Sequence, residues 1–344
     1  MPLEDKVAQI FLVLPEQLGG EAAAQAAAPA LGEAIARWPV GGFLLMDRNL
    51  TGPDQARDLA AGIQQYSLQR VGLPAFVSVD EEGGTVSRIG GSGKFPVPRI
   101  GDMRDVGAAG DPAQARQIGE TMGTYLRDLG FNLDFAPVAD VLSNEDNAVV
   151  KRRSFGSDPA LVSELSRALA DGLASAGVLS AFKHFPGHGA TAEDSHTGFA
   201  ATWKTLEELE ACELIPFRDA AAAGCPMIMA GHISLPAVTG NDLPASLSPD
   251  ITEGILRQRL GYDGLVVTDA LNMGAVTGRW SSAQAAVMAV RAGADLLMTP
   301  AAFPAAYEGL LRAVETGEIS RERIDRSAAR ILRVKLALLE DFAG

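Results

Sequence analysis

The sequence predicts a single-domain α/β protein, a (β/α)8 barrel over residues 1–344. Short apolar runs alternate with segments of helical spacing along the whole chain. The runs are apolar almost without interruption, which is typical of parallel strands that are buried on both faces. A length of 344 residues, 47% of them hydrophobic, supplies enough core for one barrel of this type.

Seven apolar runs predict strands, and they cover residues 40–46, 74–80, 132–140, 177–180, 226–232, 264–270 and 294–300. Residues 11–14 are the candidate for an eighth strand, with an irregular segment as the alternative. One of the intervening helices begins at Pro53, because proline is favoured in a first helical turn. The predicted helices cover residues 3–11, 19–37, 53–70, 112–129, 158–176, 206–223, 248–260, 282–292, 303–316 and 320–339.

Ionisable side chains lie at or near the carboxyl ends of five predicted strands, namely Asp80, Asp140, His184, His232 and Asp269. In a (β/α)8 barrel these ends form one face, and the active site is built there. A doubly wound sheet also places its sites at strand ends, but no Gly-x-Gly-x-x-Gly follows the first strand. The sequence therefore predicts a barrel with its active site at the C-terminal ends of the strands.

The composition limits the partners of the chain. With 29 basic and 43 acidic residues the net charge is −14, so neither nucleic acid nor an anionic membrane is an expected partner. No apolar run reaches the ~18 residues of a membrane helix. Two cysteines are too few for a disulfide framework, and the N-terminus carries acids where a signal peptide has basic residues. These features predict a cytoplasmic protein, expected to be a monomer.

The stretch from Ala181 to Gly198, AFKHFPGHGATAEDSHTG, concentrates ionisable groups. Three of the four histidines fall within residues 184–196. Asp194 stands two residues before His196, and an aspartate that accepts from one ring nitrogen of a histidine orients the other. Such a histidine can donate a proton to a leaving group and later accept one from water. The alternative is a surface turn with an idle histidine.

Asp269 ends the strongly apolar run VVTDA, where a carboxylate can act as nucleophile, base or metal ligand. A helix N-cap is the structural alternative. Asp80, Arg153 and Lys183 can bind adjacent hydroxyls of a polyhydroxylated ligand, and a rim salt bridge is the alternative for each. Lys183 and His184 are neighbours in a strand, so we expect their side chains on opposite faces unless the strand bends.

These motifs resemble the signature of a known family. Residues 183–189 (KHFPGHG) and 194–196 (DSH) together resemble glycoside hydrolase family 3 β-N-acetylhexosaminidases, in particular the bacterial single-domain enzymes of peptidoglycan recycling. The resemblance continues in the expected order through residues 79–88, 132–140, 153–156, 229–232, 244–248, 267–271 and 330–332.

The resemblance implies a retaining β-N-acetylglucosaminidase that removes terminal N-acetylglucosamine, with muropeptides as expected substrates and without cofactor or metal. It implies that Asp269 is the nucleophile of a glycosyl-enzyme intermediate. It also implies that His196, paired with Asp194, is the acid/base, where most glycosidases use a second carboxylate. His232 is expected to line the site less directly. The residues that match family positions for binding the sugar are Asp80, Arg88, Arg153, Lys183 and His184.

Three positions depart from the family pattern. Glu81 stands where the family usually has glutamine, and we expect it to add a negative charge near the sugar. Ala200 replaces a common proline, so we expect a looser loop before it. Arg152 adds a basic group beside Arg153 to which no role is assigned.

Other interpretations stay open. Phosphorolysis, or another β-glycosidase activity of the family, would use the same residues, since a neutral histidine repels phosphate less than a carboxylate does. A Schiff-base aldolase would need a deprotonated Lys183. A non-catalytic sugar-binding barrel would need neither Asp269 nor the Asp194–His196 pair. A metal-dependent hydrolase would take its zinc ligands from His184, His188, Asp194 and His196.

Overall fold

The computed structural model describes residues 1–20, 23–191 and 200–343. Asp194 and His196, the predicted acid/base pair, lie outside the described residues. Every other predicted site residue falls within them.

Eight parallel strands form the central sheet. Each strand from β1 to β6 pairs with the next in the chain, and β8 pairs with β1. A parallel bridge between Val267 and Leu296 joins β7 to the start of β8 and completes the ring, so the predicted (β/α)8 fold is confirmed. The strands are β1 (Phe11–Val13), β2 (Gly42–Leu44), β3 (Phe76–Val79), β4 (Leu133–Asp134), β5 (Leu179–Phe185), β6 (Met227–Ala230), β7 (Leu265–Thr268) and β8 (Leu297–Met298).

Helices surround the barrel and fill most of the connections between its strands. A π-helix, Asp250–Arg259, follows β6, and 3-10 turns cover Asp47–Asn49, His188–Ala190 and Ala245–Leu247. The α-helices are α1 (Leu3–Gln9), α2 (Pro15–Gly19), α3 (Pro29–Arg37), α4 (Pro53–Val71), α5 (Met103–Ala109), α6 (Pro112–Asp128), α7 (Pro159–Ser175), α8 (Leu206–Glu210), α9 (Ile215–Ala222), α10 (Pro236–Thr239), α11 (Gly274–Thr277), α12 (Ser282–Ala292), α13 (Phe303–Glu315) and α14 (Arg321–Ala343).

Two short sheets extend the C-terminal face of the barrel. Glu81–Gly83 pairs antiparallel with Val86–Ser87, directly after β3. Ala200–Ala201 pairs parallel with Ile233–Ser234, which follows β6. Both sheets therefore hold loops that emerge where the predicted site residues lie.

The predicted strand over residues 132–140 is correct in place but too long, because ladder pairing covers only Leu133–Asp134. Pro137 has no N–H to donate, and the Ala136–Pro137 peptide bond is cis. Pairing resumes as a single bridge from Val138 to Lys183. This irregular segment leads the chain to Asp140 on the active-site side.

The predicted helices differ from the structure at several places. Within the predicted helix 19–37, helix α3 begins at Pro29, and proline in a first turn suits a helix start better than a helix interior. The segment 206–223 is two helices, α8 and α9, with Pro216 in the first turn of the second. Helix α5, which is followed by Gly110 in a left-handed conformation, was not predicted, and neither were the short helices α2, α10 and α11.

The C-terminal helix α14 contributes an unusual core residue, Lys335, whose side chain is fully buried. Its Nζ donates to Oε1 of Gln9 at 2.9 Å and lies 5.0 Å from the centre of the Phe76 ring. Burial lowers the pKa of Lys335 to about 7. This helix is thus attached to the barrel partly through an amine that titrates near neutrality.

In the portion of the chain that the structure describes, none of the helices combines the length and the apolar character that crossing a bilayer requires.

Candidate active site

The C-terminal ends of the strands surround a cavity of about 300 Å³. One part of its lining is apolar and is contributed mainly by methionine and leucine side chains, among them Leu14, Met46 and Met298. The remainder carries charge. The structure brings together in this lining all the predicted site residues that it describes, namely Asp80, Arg88, Arg153, Lys183, His184 and Asp269.

A buried ion network forms the floor of the cavity. Nζ of Lys183 lies 2.8 Å from Oδ1 of Asp80 and 2.5 Å from Oε1 of Glu82. Arg153 donates to both oxygens of Glu82, from Nε at 2.7 Å and from Nη2 at 2.8 Å. Glu82 is 2% exposed, so its charge is compensated by these two cations and hardly by water.

Glu82 and Lys183 stay ionised at neutral pH. Burial alone would raise the pKa of Glu82, but Arg153 and Lys183 hold it well below its usual range. Burial alone would lower the pKa of Lys183, but Asp80 and Glu82 outweigh burial and raise it. A Schiff-base lysine must lose its proton, so these surroundings oppose the aldolase interpretation.

His184 is oriented by a carboxylate beneath the cavity. Its Nδ1 lies 2.7 Å from Oδ2 of Asp140, to which it can only donate, and its Nε2 faces Nη2 of Arg153 at 3.4 Å. Oδ1 of Asp140 accepts the backbone N–H of His184 at 3.0 Å and that of His188 at 2.7 Å. Burial acts to raise the pKa of Asp140, but His184 and these hydrogen bonds lower it overall. Asp140 therefore fixes the ring of His184 and the backbone at His184 and His188.

Lys183 and His184 do not alternate as their adjacency predicts. The register between β5 and β6 shifts between Phe182 and Phe185, and the Lys183–His184 peptide bond is cis. Both side chains line the same cavity. The expectation of opposite faces holds only for an unbroken strand, and this strand bends.

Asp269 lies at the end of β7 and is partly exposed to the cavity. Its backbone N–H donates to the carbonyl of Ala230 at 2.8 Å, and its Oδ1 accepts the N–H of Ala270 at 2.7 Å. The next helix begins at Gly274, and its N-cap is Met273, so Asp269 is not a helix N-cap. The carboxylate is instead anchored at one oxygen beside the cavity.

His232 supports this strand end without lining the cavity. It is fully buried, and its Nε2 lies 2.9 Å from the carbonyl of Ala270, which can only accept. With the proton on Nε2, Nδ1 accepts from Oγ of Ser246 at 2.7 Å. His232 was expected to line the site less directly; among the contacts described it instead holds Ala270, the residue that follows Asp269.

Comparison with known proteins then identifies the family. The family model described as "Glycosyl hydrolase family 3 N terminal domain" matches residues 2–334. The chain belongs to glycoside hydrolase family 3.

Relatives within glycoside hydrolase family 3 cover most of this chain. Beta-hexosaminidase A of Pseudoalteromonas piscicida is 34% identical over 92% of this chain, which spans 56% of that protein. Beta-hexosaminidase LpqI of Mycobacterium tuberculosis is 37% identical, over 96% of this chain and 82% of the relative. The structure of a family 3 β-N-acetylglucosaminidase from Paenibacillus sp. str. FPU-7 superposes with a TM-score of 0.92 at 39% identity, over 99% of this chain and 63% of that one. The chain thus spans little more than half of the first relative and under two thirds of the last.

Two residues matter more in this family 3 site than the sequence analysis indicated. Glu82 was not singled out, although it is two residues from Asp80 in an extended segment and therefore shares its face. Asp140 was noted only for its position at a strand end. The Asp80–Glu82 spacing is the signal that could have identified the first of them.

Glu81 lies behind the cavity: its side chain is fully buried and is not part of the cavity lining. Arg152, which had no assigned role, is exposed and pairs with Asp102 at 2.6 Å. Ala200 begins a short strand, and the loop before it lies outside the described residues.

A second cavity of about 300 Å³ lies at the opposite ends of β5 and β6, where Ser180 and Cys225 line it. Burial raises the pKa of the Cys225 thiol to about 12, so it is not a thiolate at neutral pH. This second cavity therefore offers no thiolate nucleophile from Cys225.

Proposed function

We propose that residues 1–344 form one catalytic barrel domain, a retaining β-N-acetylglucosaminidase that removes terminal N-acetylglucosamine. The observation that carries the proposal is the cavity in which Asp269 faces the Asp80–Lys183–Glu82–Arg153 network. The cavity is at the small end of the range for ligand pockets, which suits one sugar unit. The names of the relatives, beta-hexosaminidase and β-N-acetylglucosaminidase, support the acetamido sugar.

Sugar binding is the part of the proposal with most support from the described contacts. The carboxylate of Asp80 and the ammonium of Lys183 are 2.8 Å apart at the floor, so one can accept from a sugar hydroxyl while the other donates to its neighbour. Arg153 donates from Nε and Nη2 to Glu82 and so presents a fixed guanidinium, and His184 is fixed by Asp140. The methionine and leucine side of the cavity suits the methyl group of an acetamido substituent.

The proposed reaction has two steps. Asp269 attacks the anomeric carbon, while His196 donates a proton to the departing glycosidic oxygen, giving a glycosyl-aspartate and the free aglycone. Neutral His196 then takes a proton from water, and the water oxygen displaces Asp269 from the anomeric carbon. Two inversions leave the released sugar with its original β configuration. Asp194 would hold the His196 ring throughout.

The natural aglycone is proposed to be a peptidoglycan fragment, a muropeptide, which makes a small carbohydrate the partner of this site. Phosphorolysis by the same residues is the second candidate, with phosphate in place of water in the second step. The metal-dependent alternative needs Asp194 and His196, which the structure does not describe. Among the residues it does describe, no cluster of three or more histidine, cysteine or acidic side chains is arranged for a metal.

Release of p-nitrophenol from its β-N-acetylglucosaminide and β-glucoside, each with and without phosphate, tests the proposal. We expect turnover of the acetamido sugar only, unchanged by phosphate and giving β-N-acetylglucosamine as the first product by NMR. A sugar phosphate product would mean that the reaction is phosphorolysis and not hydrolysis. Preference for the glucoside would overturn the sugar assignment, and no turnover of either would favour the non-catalytic barrel.

A further inference from the structure

We propose that Glu81 is a positioning residue: its carboxylate fixes the loop that carries Arg88 and so sets the affinity of the cavity for its sugar. The inference rests on the proposed function, in which Arg88 binds the N-acetylglucosamine unit.

The contacts of Glu81 converge on the residues around Arg88. Oε1 accepts from Oγ of Ser87 at 2.7 Å and from the N–H of Gly90 at 2.9 Å, and Oε2 accepts the N–H of Ile89 at 2.8 Å. Arg88 lies between Ser87 and Ile89 in the chain, so the carboxylate holds both of its neighbours. The backbone at Arg88 is therefore fixed on each side by one buried group.

Glu81 is itself anchored from behind. The hydroxyl of Tyr125 on α6 donates to Oε1 at 2.8 Å, and the backbone N–H of Glu81 donates to Oδ1 of Asp134 at 2.9 Å. The Glu81 carboxylate thus accepts four hydrogen bonds. A carboxylate has acceptor sites for all of them, whereas a glutamine amide replaces one oxygen with an NH₂ group that can only donate.

Arg88 depends on this anchoring because little else holds its side chain. Its Nη1 lies 3.2 Å from Oδ2 of Asp47, whose side chain is 58% exposed, and an ion pair of that kind contributes little. Its Nε is buried and has no hydrogen-bond partner within the described parts of the chain. The place of the guanidinium in the cavity is therefore set mainly by the backbone that Glu81 holds.

A double-mutant cycle tests the proposal. Glu81→Gln leaves one loop N–H facing a donor, so we expect KM for the p-nitrophenyl acetamido sugar to rise about tenfold, with kcat within about twofold. Arg88→Ala should also raise KM. In the Arg88→Ala background, Glu81→Gln should change kcat/KM by less than about twofold, because the group it positions is gone. Independent, multiplying effects of the two substitutions would overturn the proposal, since they would mean that Glu81 acts through the fold in general.

Tyr125→Phe is the matched control, because it removes a hydrogen bond to the same carboxylate but none from the loop. We expect it to leave KM within about twofold of the wild type.

A crystal structure of Glu81→Gln provides a test that does not need turnover. We expect the Arg88 guanidinium to leave its position beside Asp47, and an unmoved guanidinium would refute the proposal. A wild-type protein that turns over no acetamido sugar would count against the proposed function, while the crystal structure would still decide the role of Glu81.

Discussion

Replacement of Lys335 by methionine should stabilise the protein in a way that depends on pH. The amine is fully buried in the core under α14, and burial lowers its pKa from 10.5 to about 7. Between these two values the unfolded chain binds a proton that the folded chain does not, so Lys335 makes the free energy of unfolding rise with pH. The destabilisation by Lys335 is complete below pH 7 and disappears above the ordinary lysine pKa.

The size of the effect follows from the two pKa values. A difference of three to four pKa units corresponds to about 5 kcal/mol at low pH. Between pH 6.5 and pH 9.5 the contribution of Lys335 changes by about 3 kcal/mol. For a chain of 344 residues such a change shifts Tm by about 4 °C. Methionine also removes the hydrogen bond to Gln9, but that loss is the same at every pH.

Urea unfolding of wild type and Lys335→Met at pH 6.5 and 9.5 measures the effect, because the difference between the two proteins cancels every other titrating group. We expect the advantage of the variant to be larger by about 3 kcal/mol at pH 6.5. Lys151→Met, at an exposed lysine, is the control and should show no such change. An advantage that is equal at the two pH values would mean that Lys335 titrates normally, and the reasoning from burial would fail.

Three further predictions concern the site. Asp269→Ala should abolish turnover of the acetamido sugar and leave Tm nearly unchanged, because the carboxylate is partly exposed; near-normal rates would remove Asp269 as nucleophile. Asp194→Ala should shift the acid limb of the pH–rate profile toward that of an unassisted imidazole. An unchanged profile would mean that Asp194 and His196 are not coupled. Asp140→Asn should lower both kcat/KM and Tm, the latter by several degrees, because it weakens three buried hydrogen bonds to the His184 segment; unaltered thermal melts and kinetics would contradict that role.

The sequence predicted which strand-end side chains lie together, because the physical basis of that prediction is simple. Parallel strands that close into a barrel bring their carboxyl ends together, so side chains as distant as Asp80 and Asp269 must meet on one face. This conclusion does not depend on the conformation of the loops. Apolar runs alone gave seven of the eight strands, and residues 11–14, left open between strand and irregular segment, form the eighth.

The orientation of adjacent residues could not be predicted in the same way. Of the neighbours Glu81 and Glu82, the sequence analysis connected the first with the sugar, while the structure places the second in the cavity floor. Neighbours in an extended segment point to opposite sides, and composition does not reveal which side is inside. At Lys183 and His184 alternation itself fails, because β5 changes register there.

The charges around the cavity favour water over phosphate as the acceptor. Two cations of its lining, Lys183 and Arg153, are already engaged with buried or partly buried carboxylates. Asp269 adds a further carboxylate to the lining. An incoming phosphate dianion would have to displace one of the carboxylate partners of these cations, whereas water need not. We accordingly expect the rate of sugar release to be independent of phosphate at constant ionic strength. A rate that rises with phosphate would refute this reasoning and favour phosphorolysis.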